Sequence, residues 1–250
     1  MAGQTMVMAV QELCEYGNLW RAIQQGMFQA KEGQRTEHLA RRTLLRTASE
    51  IARGMIHLHA ASVVHGDLKP ANVLLAKSRV DRRGFTAKVG DFGLSRVLGG
   101  NSKVESSSFG TIAYMAPEAF NGTLCKASDV YAFGSILWEM LSGKRCYEGY
   151  GAAQIALGVS LQGMRPEWPG ELWPELCALG ERCMAQEAMD RPSFEEIERL
   201  LVDMEMAVRN EGKIRKMAES KFSSSQLSMN MLVPVTPATS TNGAPPGDCG

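Results

Sequence analysis

Residues 64–93 hold two polar clusters that constrain everything around them. The first reads Val-His-Gly-Asp-Leu-Lys-Pro-Ala-Asn-Val-Leu-Leu over 64–75, and the second Lys-Val-Gly-Asp-Phe-Gly over 88–93. Asp67 is a carboxylate able to accept or orient a hydroxyl proton, work that typically contributes roughly 100- to 10,000-fold in rate. Lys69, two residues on, carries a fixed cation. Asn72 supplies a neutral oxygen and Asp91 an anionic one, the hard donor set that magnesium prefers. Val73-Leu74-Leu75 predicts a strand directly after the first cluster. Lys77 to Gly84 reads as a charged turn, and Thr86–Val89 as a second strand running into Asp91. Alone, Asp-Phe-Gly is a common turn tripeptide and His65 an ordinary core histidine. In this order, with further motifs downstream, coincidence is a poor explanation.

Those residues resemble the catalytic core of a protein kinase. Gly110-Thr111, Tyr114-Met115-Ala116-Pro117-Glu118 and Asp190-Arg191-Pro192 extend the resemblance over most of residues 5–210. Lys69-Pro70 marks the serine/threonine type, and Gly-Thr-Ile-Ala-Tyr-Met-Ala-Pro-Glu over 110–118 is similar to the tyrosine-kinase-like branch. The resemblance implies an α+β, protein kinase-like fold, mainly the helical C-terminal lobe with the last small-lobe strand and hinge. It implies ATP and Mg2+ as cofactors and a protein as substrate. It makes Asp67 the base, Lys69 the clamp on the γ-phosphoryl, and Thr111 a bridge between them. Asn72 and Asp91 become metal ligands. Leu74 would lie beneath the adenine, Glu12 to Cys14 would form the hinge and Gln11 the gatekeeper. Structural roles fall to Asp129, which would hold the catalytic-loop backbone, and to His65 and Phe92, which with it would make the lower half of the regulatory spine. Glu118 should pair with Arg191.

Two departures from the family pattern matter. No Gly-rich loop, strand lysine or regulatory-helix glutamate is found, so the chain reads as a truncated catalytic domain. Its implied partner is then an absent N-terminal lobe or an upstream domain. Gly66 stands where most family members carry the arginine that binds an activation-loop phosphate, which argues against that mode of switching. His-Gly-Asp is also used by small-molecule phosphotransferases of the aminoglycoside-kinase type, although those usually lack the Lys69 match and the downstream motifs. The alternative of a different class is a non-catalytic, kinase-derived binding module.

Composition sets outer bounds. With 250 residues the chain can bury a good core. Its 44% hydrophobic and 22% charged residues are ordinary for a globular protein. Lysine plus arginine and aspartate plus glutamate number 27 each, so no global field favours nucleic acid or an anionic membrane. The six cysteines show no metal-ligand or disulfide spacing and read as reduced thiols of an intracellular, cytoplasmic protein. No apolar run approaches the ~18–20 residues needed to span a bilayer.

Along the chain, residues 6–14 predict a buried strand, and residues 1–14 a remnant of small lobe and hinge. Residues 15–210 would form the large lobe. Asn18 to Gln25 reads as a short helix, and residues 37–60 as a long one with the apolar stripe Leu44, Leu45, Ala48, Ile51, Ala52, Met55, Ile56 and Leu58. Arg41, Arg42, Arg46 and Arg53 read as its solvated face. Residues 94–109 form an activation segment whose Ser106-Ser107-Ser108 reads as flexible. A central helix is expected over 128–142, with Ser128 as N-cap and Gly143 as stop. Further helices are expected near 152–160, from Pro174 to Met184 and from about 194 to 218. Ser193 and Glu196 suggest a capping box for the last. Residues 211–250 would be the helix end and a disordered Ser/Thr/Pro tail.

Overall fold

A computed structural model describes residues 10–31, 33, 36–99, 102–105 and 110–230. The chain divides into two units, residues 1–209 and 210–250. The first is a helical body with three small antiparallel sheets, in keeping with an α+β kinase-like fold. The described part of the second is the end of helix α6 (Phe194–Asn230).

The helix α3 (Lys126–Ser142) forms the axis of the first unit. Every residue from Ser128 to Met140 is buried, as expected of a helix apolar on all faces. Gly143, at φ +71°, ends it in a left-handed turn. Around it pack α2 (Glu37–Ala60) and α5 (Pro174–Cys183), with Pro174 in the first turn of α5. Gly134 is required at the α3–α5 crossing: a Cβ there would lie 2.5 Å from Met184 Cγ and 3.0 Å from Cys183 Cβ. α2 buries Leu44, Leu45, Ala48, Ile51, Ala52 and Met55, while Ile56 and Leu58 are half-buried.

The arginines of α2 do not form a free solvated face. Arg42 pairs with Glu205 at 2.6 Å and Arg53 with Glu198 at 2.8 Å, both on α6, and Arg46 pairs with Asp81 at 2.7 Å. Arg41 pairs with Glu37 and lies over the Trp173 ring. The helix presents its basic face to acidic neighbours, which periodicity alone does not reveal.

Strands β2 (Val73–Lys77) and β3 (Phe85–Val89) form a five-residue hairpin with Val73 opposite Val89 and Lys77 opposite Phe85. Its turn is fastened by a buried ion cluster. Arg83 donates to Asp81, Glu50 and Thr47, and Glu50 accepts the Ala87 amide. The short α1 (Leu19–Gln24) is capped by Asn18, whose side chain accepts the Arg21 amide at 3.1 Å. Just ahead of it, Tyr16 donates to Leu75 and Leu75 to Gly17, which lays this stretch along β2.

Three expectations need correction. Residues 10–14 are not strand, and Val10 and Leu13 are 91% and 78% exposed, because no strand among the described residues pairs with them; residues 6–9 lie outside the described set. Cys125, not Ser128, caps α3: β6 (Thr123–Cys125) runs straight into the helix, and the Ser128 hydroxyl accepts the Cys125 amide at 3.1 Å. The last helix continues to Asn230, past the expected end. The rest of the tail, Ser106–Ser108 and Cys249 lie outside the described residues. The five described cysteines are all free thiols, and no described helix is long and apolar enough to cross a membrane.

Candidate active site

The stretch from His65 to Asn72, expected to be the catalytic loop, follows β1 (Val63–Val64), which pairs with β4 (Arg96–Val97). Asp129, 2% exposed in the first turn of α3, fixes it from below. One carboxylate oxygen accepts the His65 amide at 2.9 Å and the other the Gly66 amide at 3.0 Å. His59 Nε2 lies 2.9 Å from the first of these oxygens. The His65 ring takes the Asp67 amide on Nδ1 at 3.3 Å and meets the Gly90 carbonyl through Nε2 at 3.0 Å. Both contacts are satisfied together by the tautomer with its hydrogen on Nε2. The ring therefore links the loop of Asp67 to the residue before Asp91. Phe92 lies 5.6 Å from His65, centroid to centroid, with 46% of its surface exposed.

Asp67 collects several donors. Thr111 gives its amide and its hydroxyl to one oxygen, each at 2.9 Å. Lys69 Nζ meets the other at 2.6 Å and donates to the Thr111 hydroxyl at 2.7 Å. The Asn72 amide group adds a contact at 3.2 Å and donates to the Asp67 carbonyl at 2.8 Å. Burial alone would raise the Asp67 carboxyl above its ordinary value, but the bonds from Lys69 and Thr111 outweigh it and hold the group low. Gly110 lets Thr111 approach: a Cβ there would lie 2.7 Å from the Gly66 carbonyl oxygen. Asp67, Lys69, Asn72 and Thr111 thus form one cluster.

Asp91 follows the hairpin end, where the Gly90 amide donates to the Asn72 carbonyl at 2.9 Å. Its φ of +62° is left-handed, an uncommon state for a residue other than glycine and one that concentrates at functional sites. Its carboxylate takes the Gly93 amide at 3.3 Å. Asn72 spends its nitrogen on Asp67, so its side-chain oxygen is the end left to coordinate. Among the described residues no group of three or more acidic, His or Cys side chains could hold a metal unaided. The donor set suits a hard divalent ion that completes its shell with water and phosphate oxygens.

Leu74 sits beside this end of the hairpin, with Cδ1 3.4 Å from the position a Cβ on Gly90 would take. Glu12 and Cys14 lie on the irregular stretch before α1, where Lys88 pairs with Glu12 at 3.2 Å. On the other side, Glu118 and Arg191 form a two-pronged ion pair at 2.8 and 2.9 Å. Arg191 also donates to the carbonyls of Ala127, Ala185 and Gln186, so all five of its N–H groups are used. Burial pushes the Glu118 carboxyl up, and the Arg191 guanidinium more than offsets this.

The motifs did not reveal Glu139. Buried in α3, it faces no cation among its hydrogen-bond partners; it accepts the Tyr114 hydroxyl at 3.0 Å and the Cys146 amide at 2.9 Å. Burial raises its carboxyl above 4.5. The signal available was an acid in the middle of an otherwise apolar helix.

Comparison with known proteins gives the family of the chain. The family described as protein tyrosine and serine/threonine kinase matches residues 1–201, and the chain belongs to it. It carries that family's domain in part. Its relatives are serine/threonine kinases of the tyrosine-kinase-like type. The chain is similar to serine/threonine-protein kinase STY46 of Arabidopsis thaliana, with 37% identity over 175 residues, 70% of this chain and 29% of the relative. It is similar to serine/threonine-protein kinase CTR1 of Arabidopsis thaliana, with 36% identity over 195 residues, 77% and 22%. Mitogen-activated protein kinase kinase kinase 11 of Homo sapiens is 35% identical over 189 residues, 73% and 22%. The chain thus spans less than a third of the length of these relatives.

Proposed function

We propose that this chain is the large-lobe part of a serine/threonine protein kinase that transfers the γ-phosphoryl of Mg-ATP to a protein hydroxyl. Residues 15–210 act as that lobe, and residues 1–14 lead into it as the hinge side. The convergence of Lys69, Thr111 and Asn72 on Asp67 carries the reading. Phosphoryl transfer asks the protein mainly for positioning and charge neutralisation. Asp67, kept ionised by its donors, orients the substrate hydroxyl and accepts its proton as the oxygen bonds to phosphorus. Lys69, held between Asp67 and Thr111, sets a cation beside the transferred group. The Asn72 oxygen and the Asp91 carboxylate would hold Mg2+, which supplies charge neutralisation on the phosphates. Leu74 supports the adenine, and backbone groups of Glu12 and Cys14 bond its edge. Asp129 and His65 keep the loop in register, Phe92 continues the stack towards an upper lobe, and the Glu118–Arg191 pair braces the substrate platform. The protein works inside the cell, in the cytoplasm.

One observation favours a second reading, a kinase-derived binding module. A groove of about 420 Å³ whose lining includes Glu50, Gly54, Leu58, Lys88, Val89 and Phe92 lies open, and the sequence contains no Val-Ala-Ile-Lys motif. A small lobe, in the same or another chain, would cover that groove. Incubation with Mg-ATP and a general protein substrate, followed by phosphoamino-acid analysis, separates the two. Phosphoserine or phosphothreonine supports the kinase; no transfer supports the module.

A further inference from the structure

We propose that the outer face of helix α4 (Ala152–Leu161) is a self-association surface on which a second copy of this chain packs antiparallel. The inference does not depend on the kinase reading.

α4 is apolar on all sides but buried on only one. Ile155, Gly158 and Val159 are buried, and Ile155 and Val159 share a cluster with Ala116, Ile112 and Phe120. At about 100° per residue, Leu157 lies opposite that face. Ala153, Leu157 and Leu161 recur every four residues along the outer side. Ala153 is exposed, Leu157 is 56% exposed and Leu161 78%. A helix apolar all round is normally buried, as α3 is. Half-exposed apolar residues elsewhere have a neighbour: Val104 of β5 (Lys103–Glu105) packs against Leu124 on β6. Single exposed leucines are ordinary, whereas a stripe along one helix face marks an interaction site.

The chemistry of this face suits a copy of itself. Residues 149–164 contain no Asp, Glu, Lys, Arg or His, in a chain that is 22% charged. Two identical patches meeting about a two-fold axis set each charge near its own kind, so self-contact favours a patch without charge. The formal net charge of the chain is +0, so no net repulsion keeps two copies apart. The order of the stripe adds shape. With Leu157 on the axis and the helices antiparallel, Leu161 of each copy falls on the small Ala153 of the other, large against small at both ends. α4 has ten residues, about 15 Å of helix. Its face is therefore smaller than the ~800 Å² per partner of a standard stable interface, and the dimer is weak and reversible.

Sedimentation velocity of the full 250-residue chain, from about 10 to 500 µM, tests the surface. The wild type should sediment faster as its concentration rises. Leu157→Glu sets like charges on the axis and should raise the dissociation constant about tenfold or more. Val80→Glu adds the same charge at the β2–β3 turn, where Val80 is 96% exposed, and should leave association unchanged. Both positions are exposed, so both variants should fold, and thermal melts check this; Leu161→Glu at the helix end takes the place of Leu157→Glu if that variant unfolds. A wild type that stays monomeric throughout would overturn the proposal and leave the stripe to a different protein. Association that the folded α4 variant leaves intact, or that Val80→Glu weakens equally, would overturn it too. No phosphotransfer enters this readout, so a chain that never turns over ATP still decides it.

Discussion

Removing Arg191 should unfold the lobe far more readily than removing any surface arginine. Its side chain has no exposed area and its five N–H groups serve Glu118 and three backbone carbonyls. In Arg191→Ala the Glu118 carboxylate keeps the Ser128 hydroxyl at 2.8 Å but loses its cation. Breaking a buried ion pair by deleting one partner costs about 3–5 kcal/mol. Against a domain stability of roughly 5–15 kcal/mol this is a large share. At about 2–4 °C per kcal/mol for a domain of this size, the midpoint should fall by roughly 6–20 °C. Arg53→Ala, which breaks the more exposed pair with Glu198, should cost only about 0–1 kcal/mol. Urea and thermal melts of both variants beside wild type measure the contrast. Equal losses in the two would refute the reasoning that burial and five-fold bonding make Arg191 the brace.

Acid should weaken the fold through Asp67, Asp81 and Glu118, all held below their ordinary values of 3.8, 3.8 and 4.5. Their contribution is fully present above those values and is lost as pH falls through the lower folded ones, so urea stability should hold above about pH 5 and drop below about pH 4. Glu139 works in the opposite sense: its raised carboxyl favours the fold below 4.5, and that contribution is lost as pH rises through the folded value. Glu139→Gln keeps an acceptor for Tyr114 and should gain on wild type as pH rises, whereas Glu139→Ala leaves two donors unpaired and should cost about 1–3 kcal/mol for each in chemical denaturation. Gly134→Ala should cost about 1–3 kcal/mol by driving α3 and α5 apart, read from the melting midpoint.

What was legible in the sequence was what lies close together along it. Asp67, Lys69 and Asn72 sit within six residues, and the strand after them is signalled by three apolar residues in a row. The long helices were legible because their stripes are strong. Partners far apart were not. Arg83 reaches Glu50 across 33 positions and Tyr114 reaches Glu139 across 25, and neither pair has a motif. The α2 arginines looked solvated because a polar face has the same pattern whether water or a glutamate meets it. Ser128 looked like a cap because it has the right side chain, but β6 set the helix start three residues earlier.

The most direct test is γ-phosphoryl transfer from Mg-ATP to a protein by this chain and by Asp67→Asn, with melts showing both folded. Transfer by the wild type and its near-complete loss in the variant is the expected result. Equal transfer by the two would contradict the role given to Asp67, and none by the folded wild type would contradict the catalytic reading itself.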